Sequence, residues 1–327
     1  VEHGVLGYAA PTPSLVEATL AYLDTNYGWK VEPEWLVWLS GVVSGLNLAC
    51  RVVDGGVITA TPVYPPFLSA PKLSGRELTS VPLKLTDDGW RMDLEAMQAA
   101  LKPDTRLWLL CHPHNPVGRA WSDEELRAFA GFCRRHDLIV CSDEIHCDLI
   151  LDAERRHLPL ACVDDEIARR SITLMAPSKT FNIPGLACAF AVIPDAGLRR
   201  RFTGAARGIV PDVNVLGFVA AEAAFREGAD WHRGLIDTLR RNRDRVEAAV
   251  AAMPGLTMTH VEATYLAWID ARGLGVDDPV AFFEAAGVGL SNGADFGLPG
   301  WVRLNFGCPG ATLEAALQRM EQACRQR

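Results

Sequence analysis

Along the first two thirds of the chain, short apolar runs are each closed by a polar or Gly/Pro cluster and separated from the next by an amphipathic stretch. That pattern predicts strands alternating with helices around a mostly parallel sheet. The candidate strands are Gly56 to Ala60, Thr105 to Cys111, Leu138 to Asp143, Ser171 to Ala176 and Cys188 to Ile193. Between the second and third, Ser122 is followed three residues later by Glu125, a capping box that predicts a helix from Ser122 to His136. A long charged helix follows at about Trp231 to Met253, then a strand-like TYLAWID, a helix near Pro279 to Ala286 and a strand at Trp301 to Phe306. The reading is an α/β chain with a large domain over 1–232 and a smaller C-terminal α+β domain over 233–327. No internal repeat or low-complexity linker divides the two, so they are expected to pack closely.

Composition sharpens this picture by exclusion. With 49% apolar residues in 327 the chain buries a real core. Its 32 Lys and Arg against 40 Asp and Glu give −8, a surface that repels a phosphate backbone, so nucleic acid is not an expected partner. No apolar run reaches the roughly 20 residues of a membrane span, and the N-terminus lacks a basic segment followed by an apolar one; the expected compartment is the cytoplasm. The nine cysteines are odd in number and show no CxxC pair, so they read as reduced thiols packed as small hydrophobes, and a zinc site is not expected.

Candidate chemistry gathers where the strands end. Glycine and proline mark the exits in HPHNPVG after Leu110 and FNIPG after Lys179, and in open α/β sheets ligands bind outside the carboxyl ends of the strands. Lys179, in APSKTFNIPGL, directly follows an apolar strand. A sheltered amine there loses part of the preference for its ammonium form and becomes able to attack an aldehyde; a lysine at a loop edge fits the segment as well. Asp143 ends LIVCSD, and a carboxylate closing so apolar a strand is costly unless a cation pairs with it. A protonated pyridine nitrogen would serve. A helix cap, or a metal site with Glu144 and His146, is the other reading of the same residues.

Eight stretches in chain order carry a resemblance: HGVLGY at His3 to Tyr8, SGVVSGLN at Ser40 to Asn47, PVYPPF at Pro62 to Phe67, CHPHNPVGRAW at Cys111 to Trp121, SDEIHCDL at Ser142 to Leu149, SKTFNIPGL at Ser178 to Leu186, EATYLAWID at Glu262 to Asp270 and VRLNFGCP at Val302 to Pro309. Together they resemble the fold-type I, class I/II aminotransferase superfamily of pyridoxal 5′-phosphate (PLP) enzymes. Within it they are similar to the MalY/PatB branch of cystathionine β-lyases and cysteine-conjugate C–S lyases. The resemblance implies an aspartate aminotransferase-like fold, with a mixed, mostly parallel sheet sandwiched by helices and residues 1–10 as the remnant of an N-terminal arm.

It also implies roles. Lys179 would hold PLP as a Schiff base and shuttle the α-proton, Asp143 would keep the ring nitrogen protonated, Asn115 would bond the ring hydroxyl oxygen, and Tyr64 would stack on the ring. The phosphate would rest on the N–H groups of Gly41, Val42 and Val43 at a helix start, with Ser178 adding a hydroxyl. Tyr8 would reach the phosphate of a neighbouring subunit, which implies a homodimer with shared active sites. Arg303 would take the substrate carboxylate. His146 would touch the ring or orient Asp143. Two positions depart from the family: Ala187 stands where a cation is common, and Gly310 where an arginine is frequent. The branch implies α,β-elimination of cysteine S-conjugates; transamination uses the same residues, and a non-catalytic, regulator-binding protein is the third reading.

Overall fold

The computed structural model describes Glu2, Gly4 and residues 6–326. His3 and Val5 of the HGVLGY stretch, and the end residues Val1 and Arg327, lie outside the described residues.

The larger sheet has seven strands, which run from edge to edge as Leu36–Leu39, Ala189–Val192, Ser171–Met175, Ile139–Asp143, Thr105–Cys111, Gly56–Thr61 and Leu78–Pro82. Five of these pair in parallel, whereas Ala189–Val192 runs antiparallel to both of its neighbours. The sheet is therefore mixed and mostly parallel, as the apolar runs imply. The exception has a local cause. Between Met175 and Ala189 the chain forms a turn and one short 3₁₀ segment, Pro184–Leu186, with no crossover helix to carry it back across the sheet.

Side chains of a strand point alternately to opposite faces, and Thr105–Cys111 shows what that does here. Leu107, Leu109 and Cys111 enter one buried cluster with Leu46 and Leu174, while Trp108 and Leu110 enter another with Phe129 and Phe132. A strand apolar on both faces must be covered by helices on both sides. One cover is Asp123–Arg135, where Ser122 and Glu125 form the expected capping box. Another is Val42–Arg51, and it packs closely because residue 45 is glycine: a Cβ there would lie 2.7 Å from Leu174 Cδ2.

The C-terminal part builds a four-stranded antiparallel sheet, in the order Thr257–Met258, Leu266–Asp270, Trp301–Asn305, Ser291–Asn292. The helices Ala229–Ala251, Pro279–Ala285 and Gly310–Arg325 accompany it, around a cluster that includes Val246, Ile269, Phe283, Leu304 and Leu317. The chain crosses back toward the large sheet at Glu262 to Thr264. There Ala263 N–H bonds to Gly118 O at 3.0 Å and Thr264 N–H to Leu149 O at 2.8 Å. Gly118 has φ 72°, and a Cβ on it would meet Val261 Cγ1 at 2.9 Å, so this approach requires glycine. No helix among the described residues is long and apolar enough to cross a membrane.

Candidate active site

Register places the strand ends side by side. Cys111 pairs with Asp143, and Asp143 with Leu174, so the loops that begin at His112, Glu144 and Ala176 all open at the carboxyl edge of the sheet. They enclose a cavity of about 480 Å³. Lys179, Asp143, Asn115, Tyr64, Arg303 and His146 all line it, together with Gly41, Val42, Val43 and Ser178. Residues 188 apart in sequence meet here: Arg303 donates from one guanidinium nitrogen to Asn115 Oδ1 at 2.9 Å and from another to Ser291 Oγ at 3.2 Å.

Arginine has only donors, so its bond to Oδ1 fixes how the Asn115 amide is turned and leaves the NH₂ group to donate elsewhere. The Arg303 guanidinium carbon lies 4.6 Å from the centroid of the Phe296 ring, and its buried Nε has no partner among the described residues. Burial lowers the pKa of Arg303, against the opposing pull of Tyr64 and Tyr265. A charge-bearing fork with an unsatisfied donor is well placed to take an anionic oxygen.

Asp143 is 4% exposed. Among the described residues its carboxylate accepts one hydrogen bond, from Ile145 N–H at 3.1 Å. Desolvation pushes its pKa up to about 7, opposed by the Ile145 bond, raised further by Glu144 and lowered by the charge of Lys179. Its neighbour Glu144 does not join it in a metal-type cluster. That side chain is fully buried and turned to Ser142 Oγ (2.7 Å), Leu160 N–H (3.0 Å) and His157 Nε2 (2.7 Å). Burial favours the uncharged form of both members of that pair, raising Glu144 to about 7 and lowering His157 to about 3.

His146 is likewise buried, and burial together with Lys179 and Arg303 lowers its pKa to about 3, so the ring is neutral. Among the described residues no hydrogen bond joins it to Asp143. It meets the Tyr265 ring edge-on, with centroids 5.8 Å apart, and its Nδ1 has no partner among the described residues. Tyr64 is half-buried, and its backbone N–H bonds to Asn115 O at 3.0 Å, which ties the two loops together. Desolvation and the nearby Asp143 raise its pKa.

Gly41 is the N-cap of Val42–Arg51, and the N–H groups of that first turn have no carbonyl four residues back to bond. They point the positive end of the helix at the cavity. Ala187, in the left-handed region at φ 49°, supplies no charge. Among the described residues lining the cavity, Lys179 and Arg303 are the cations. Tyr8 does not line it; the side chain is fully exposed beside Val213 and Leu216.

Ser40, Ser44, Tyr265 and Asn305 also line the cavity, and the sequence reading did not single them out. Asn305 had a signal: it lies two residues beyond Arg303 on one strand, hence on the same face. Tyr265 had only a motif. It follows Thr264, a fully buried β-branched residue at φ 76°, held there by its bond to Leu149 O and by a 3.2 Å bond from Leu266 N–H to its hydroxyl. Such a backbone is rare for threonine and persists only where its surroundings fix it.

A mixed sheet with a buried carboxylate, a lysine and an arginine converging at its carboxyl edge defines a class, and the comparisons agree. The chain belongs to the aminotransferase class I and II family, whose model matches residues 3–320. The chain is similar to the crystal structure of OvoB, at 49% identity and a TM-score of 0.98, covering 100% of this chain and 87% of that one. It is 35% identical over 334 residues to cystathionine beta-lyase PatB of Bacillus subtilis (strain 168), covering 99% of this chain and 86% of PatB. Cystalysin from Treponema denticola, whose crystal structure contains a pyridoxal 5′-phosphate cofactor, matches at 30% identity and a TM-score of 0.94, over 99% of this chain and 85% of that one.

Proposed function

We propose that this chain is a PLP-dependent carbon–sulfur β-lyase that converts cystathionine-like cysteine S-conjugates to pyruvate, ammonia and a thiol. The observation that carries the reading is the convergence of Lys179, Asp143, Asn115 and Arg303 on one cavity. Similarity to PatB along 99% of the chain supports the lyase assignment over transamination.

The residues present fit the cofactor. A buried carboxylate with no cationic partner at hydrogen-bond distance suits a protonated ring nitrogen, the NH₂ of Asn115 suits the ring oxygen, and the first turn at Val42 suits a phosphate. Bound there, PLP supplies an electron sink for the negative charge that develops at the substrate α-carbon. Asp143 keeps the ring nitrogen cationic, and Tyr64 covers one face of the ring. Ser178 adds a hydroxyl to the N–H groups of Gly41, Val42 and Val43, which offsets the missing cation at Ala187. The neutral His146, which lines the same cavity, would lie within reach of the ring.

Lys179 would hold the cofactor through Nζ and would be the base that removes the substrate α-proton. The carbon–sulfur bond then breaks with its electron pair leaving on thiolate, the β-carbon takes up a proton, and water replaces the nitrogen to give pyruvate and ammonia. Arg303 holds the substrate carboxylate as a two-pronged pair, which sets the α-hydrogen toward Lys179.

Changing Arg303 to lysine keeps the charge and removes the fork. KM for the amino-acid substrate is expected to rise about 10- to 100-fold, the equivalent of one charge-assisted hydrogen bond, with kcat changed less; steady-state kinetics measures both. An unchanged KM would remove Arg303 from this role.

Tyr8, exposed and outside its own cavity, supports a homodimer in which each subunit lends that side chain to the other's phosphate. The buried free thiols Cys50, Cys111, Cys133, Cys141 and Cys147 support a reducing, cytoplasmic setting. The division into 1–232 and 233–327 is supported by the separate C-terminal sheet, while the helix Ala229–Ala251 runs across that boundary.

The deciding assay supplies cystathionine without any keto acid and follows pyruvate and free thiol. Their release in equal amounts is expected. Turnover that depends on added keto acid and yields no thiol would establish transamination instead.

A further inference from the structure

Behind the Lys179 turn lies a polar cluster that the proposed reaction does not use. Asp148, five residues beyond Asp143 in the chain, accepts the Thr180 hydroxyl at Oδ2 (2.8 Å) and the Tyr27 hydroxyl at Oδ1. Burial and the nearby Asp148 carboxylate push the Tyr22 pKa well up. The main-chain oxygen of Asp148 meets His232 Nε2 at 2.8 Å. One residue thus joins four pieces of chain: the helix Pro13–Tyr27, the segment after Asp143, the turn that carries Lys179, and the helix Ala229–Ala251. The side-chain donors that its carboxylate gathers are hydroxyls.

We propose that Asp148 is a positioning residue which, through the buried hydroxyl of Thr180, fixes the Lys179 turn against the segment that follows Asp143. The turn is closed internally by Phe181 N–H to Pro177 O (2.9 Å) and Ile183 N–H to Ser178 O (3.0 Å). Those bonds set its shape, not its place. A cofactor held at one end by Asp143 and at the other by Lys179 needs both ends in register, because a displacement of 1 Å at a reacting group costs about 10²-fold in rate. The link from Thr180 to Asp148 ties the residue next to Lys179 to the segment that starts at Asp143, and so supplies that register. Its kinetic consequence rests on the lyase reading; the geometry does not.

Thr180→Val keeps the shape and removes only the hydroxyl, while Thr180→Ser keeps the hydroxyl. Three readouts are compared. In Thr180→Val, kcat of the loaded enzyme is expected to fall about 10- to 100-fold with KM little changed. The pH at which the lysine-linked cofactor changes colour is expected to shift. Amide exchange at Phe181 and Ile183 in the cofactor-free protein is expected to quicken about tenfold or more as the turn loosens. Thr180→Ser should recover most of each loss. A Thr180→Val enzyme that melts earlier, yet keeps its kcat, colour change and exchange rates, overturns the proposal, since Asp148 would then be only structural. If Thr180→Val does not fold, Asp148→Asn, which keeps the volume and reverses one hydrogen bond, carries the same three readouts. A wild-type protein that binds PLP but releases no thiol defeats the lyase reading alone, because colour change and exchange still decide the role of Asp148.

Discussion

Lys179→Ala is expected to stay colourless when PLP is added and to lose turnover by about 10⁴-fold or more, the upper end of what a positioned acid–base group contributes. The size follows from two duties resting on one atom. In the proposed mechanism Nζ both tethers the cofactor and takes the α-proton, and the other cation lining the cavity among the described residues, Arg303, is held by Asn115 and Ser291. Among the described residues lining the cavity, no other side chain offers an amine. Absorption of the purified variant after incubation with PLP, followed by the thiol-release assay, measures both losses. A variant that turned yellow as readily as wild type and still released thiol would move the chemistry to another residue.

Asp143→Asn is expected to retain PLP but to slow α-proton removal by at least about 10²- to 10³-fold, the range for losing one preorganised electrostatic partner. A neutral amide cannot hold a ring nitrogen cationic, and the electron sink weakens with it. The same substitution makes a second, opposite prediction for the cofactor-free protein. Burial raises the Asp143 pKa from 3.8 to about 7, so the folded state holds a proton that the unfolded state has released across that interval. Stability attributable to this group is therefore full below pH 3.8 and is lost as pH rises toward 7. Asparagine carries no charge to bury. The variant should melt at the wild-type temperature at pH 4 and above it at pH 8, by several degrees. Thermal melts of both apoproteins at the two pH values check this. An equal or lower Tm for the variant at pH 8 would mean that the empty site does not strain Asp143.

Much of this site was legible in the chain because parallel strands covered on both faces read as continuous apolar runs. Polar residues at their ends then stand out, and Asp143 and Lys179 were visible as interruptions of that kind. The helix start at Gly41 was visible as well, and the structure caps it there. What could not be read was set by partners far away in sequence. The turn of the Asn115 amide depends on Arg303, and the placement of the Lys179 turn depends on Asp148 through Thr180.

Two strands of the larger sheet escaped for a different reason. Leu36–Leu39 and Leu78–Pro82 lie at the sheet edges, are short and are only partly buried, so they carry little of the apolar signal that marks the central strands. The antiparallel direction of Ala189–Val192 also follows from an absence, that of a crossover helix, which apolar patterning does not encode. His146 shows the limit of motif reading. Its place beside Asp143 invited a hydrogen bond between them, yet the fold turns its ring edge-on to Tyr265.

Borohydride reduction of the PLP-loaded protein, followed by tryptic mass spectrometry, tests the central claim most directly. Trypsin cleaves after Arg170 and Arg199, so a modified Lys179 appears in one uncut peptide running from Ser171 to Arg199. The account predicts the mass of reduced pyridoxyl phosphate on that peptide, at Lys179 and in one copy per chain. Cofactor mass on another lysine, or on none, would contradict it.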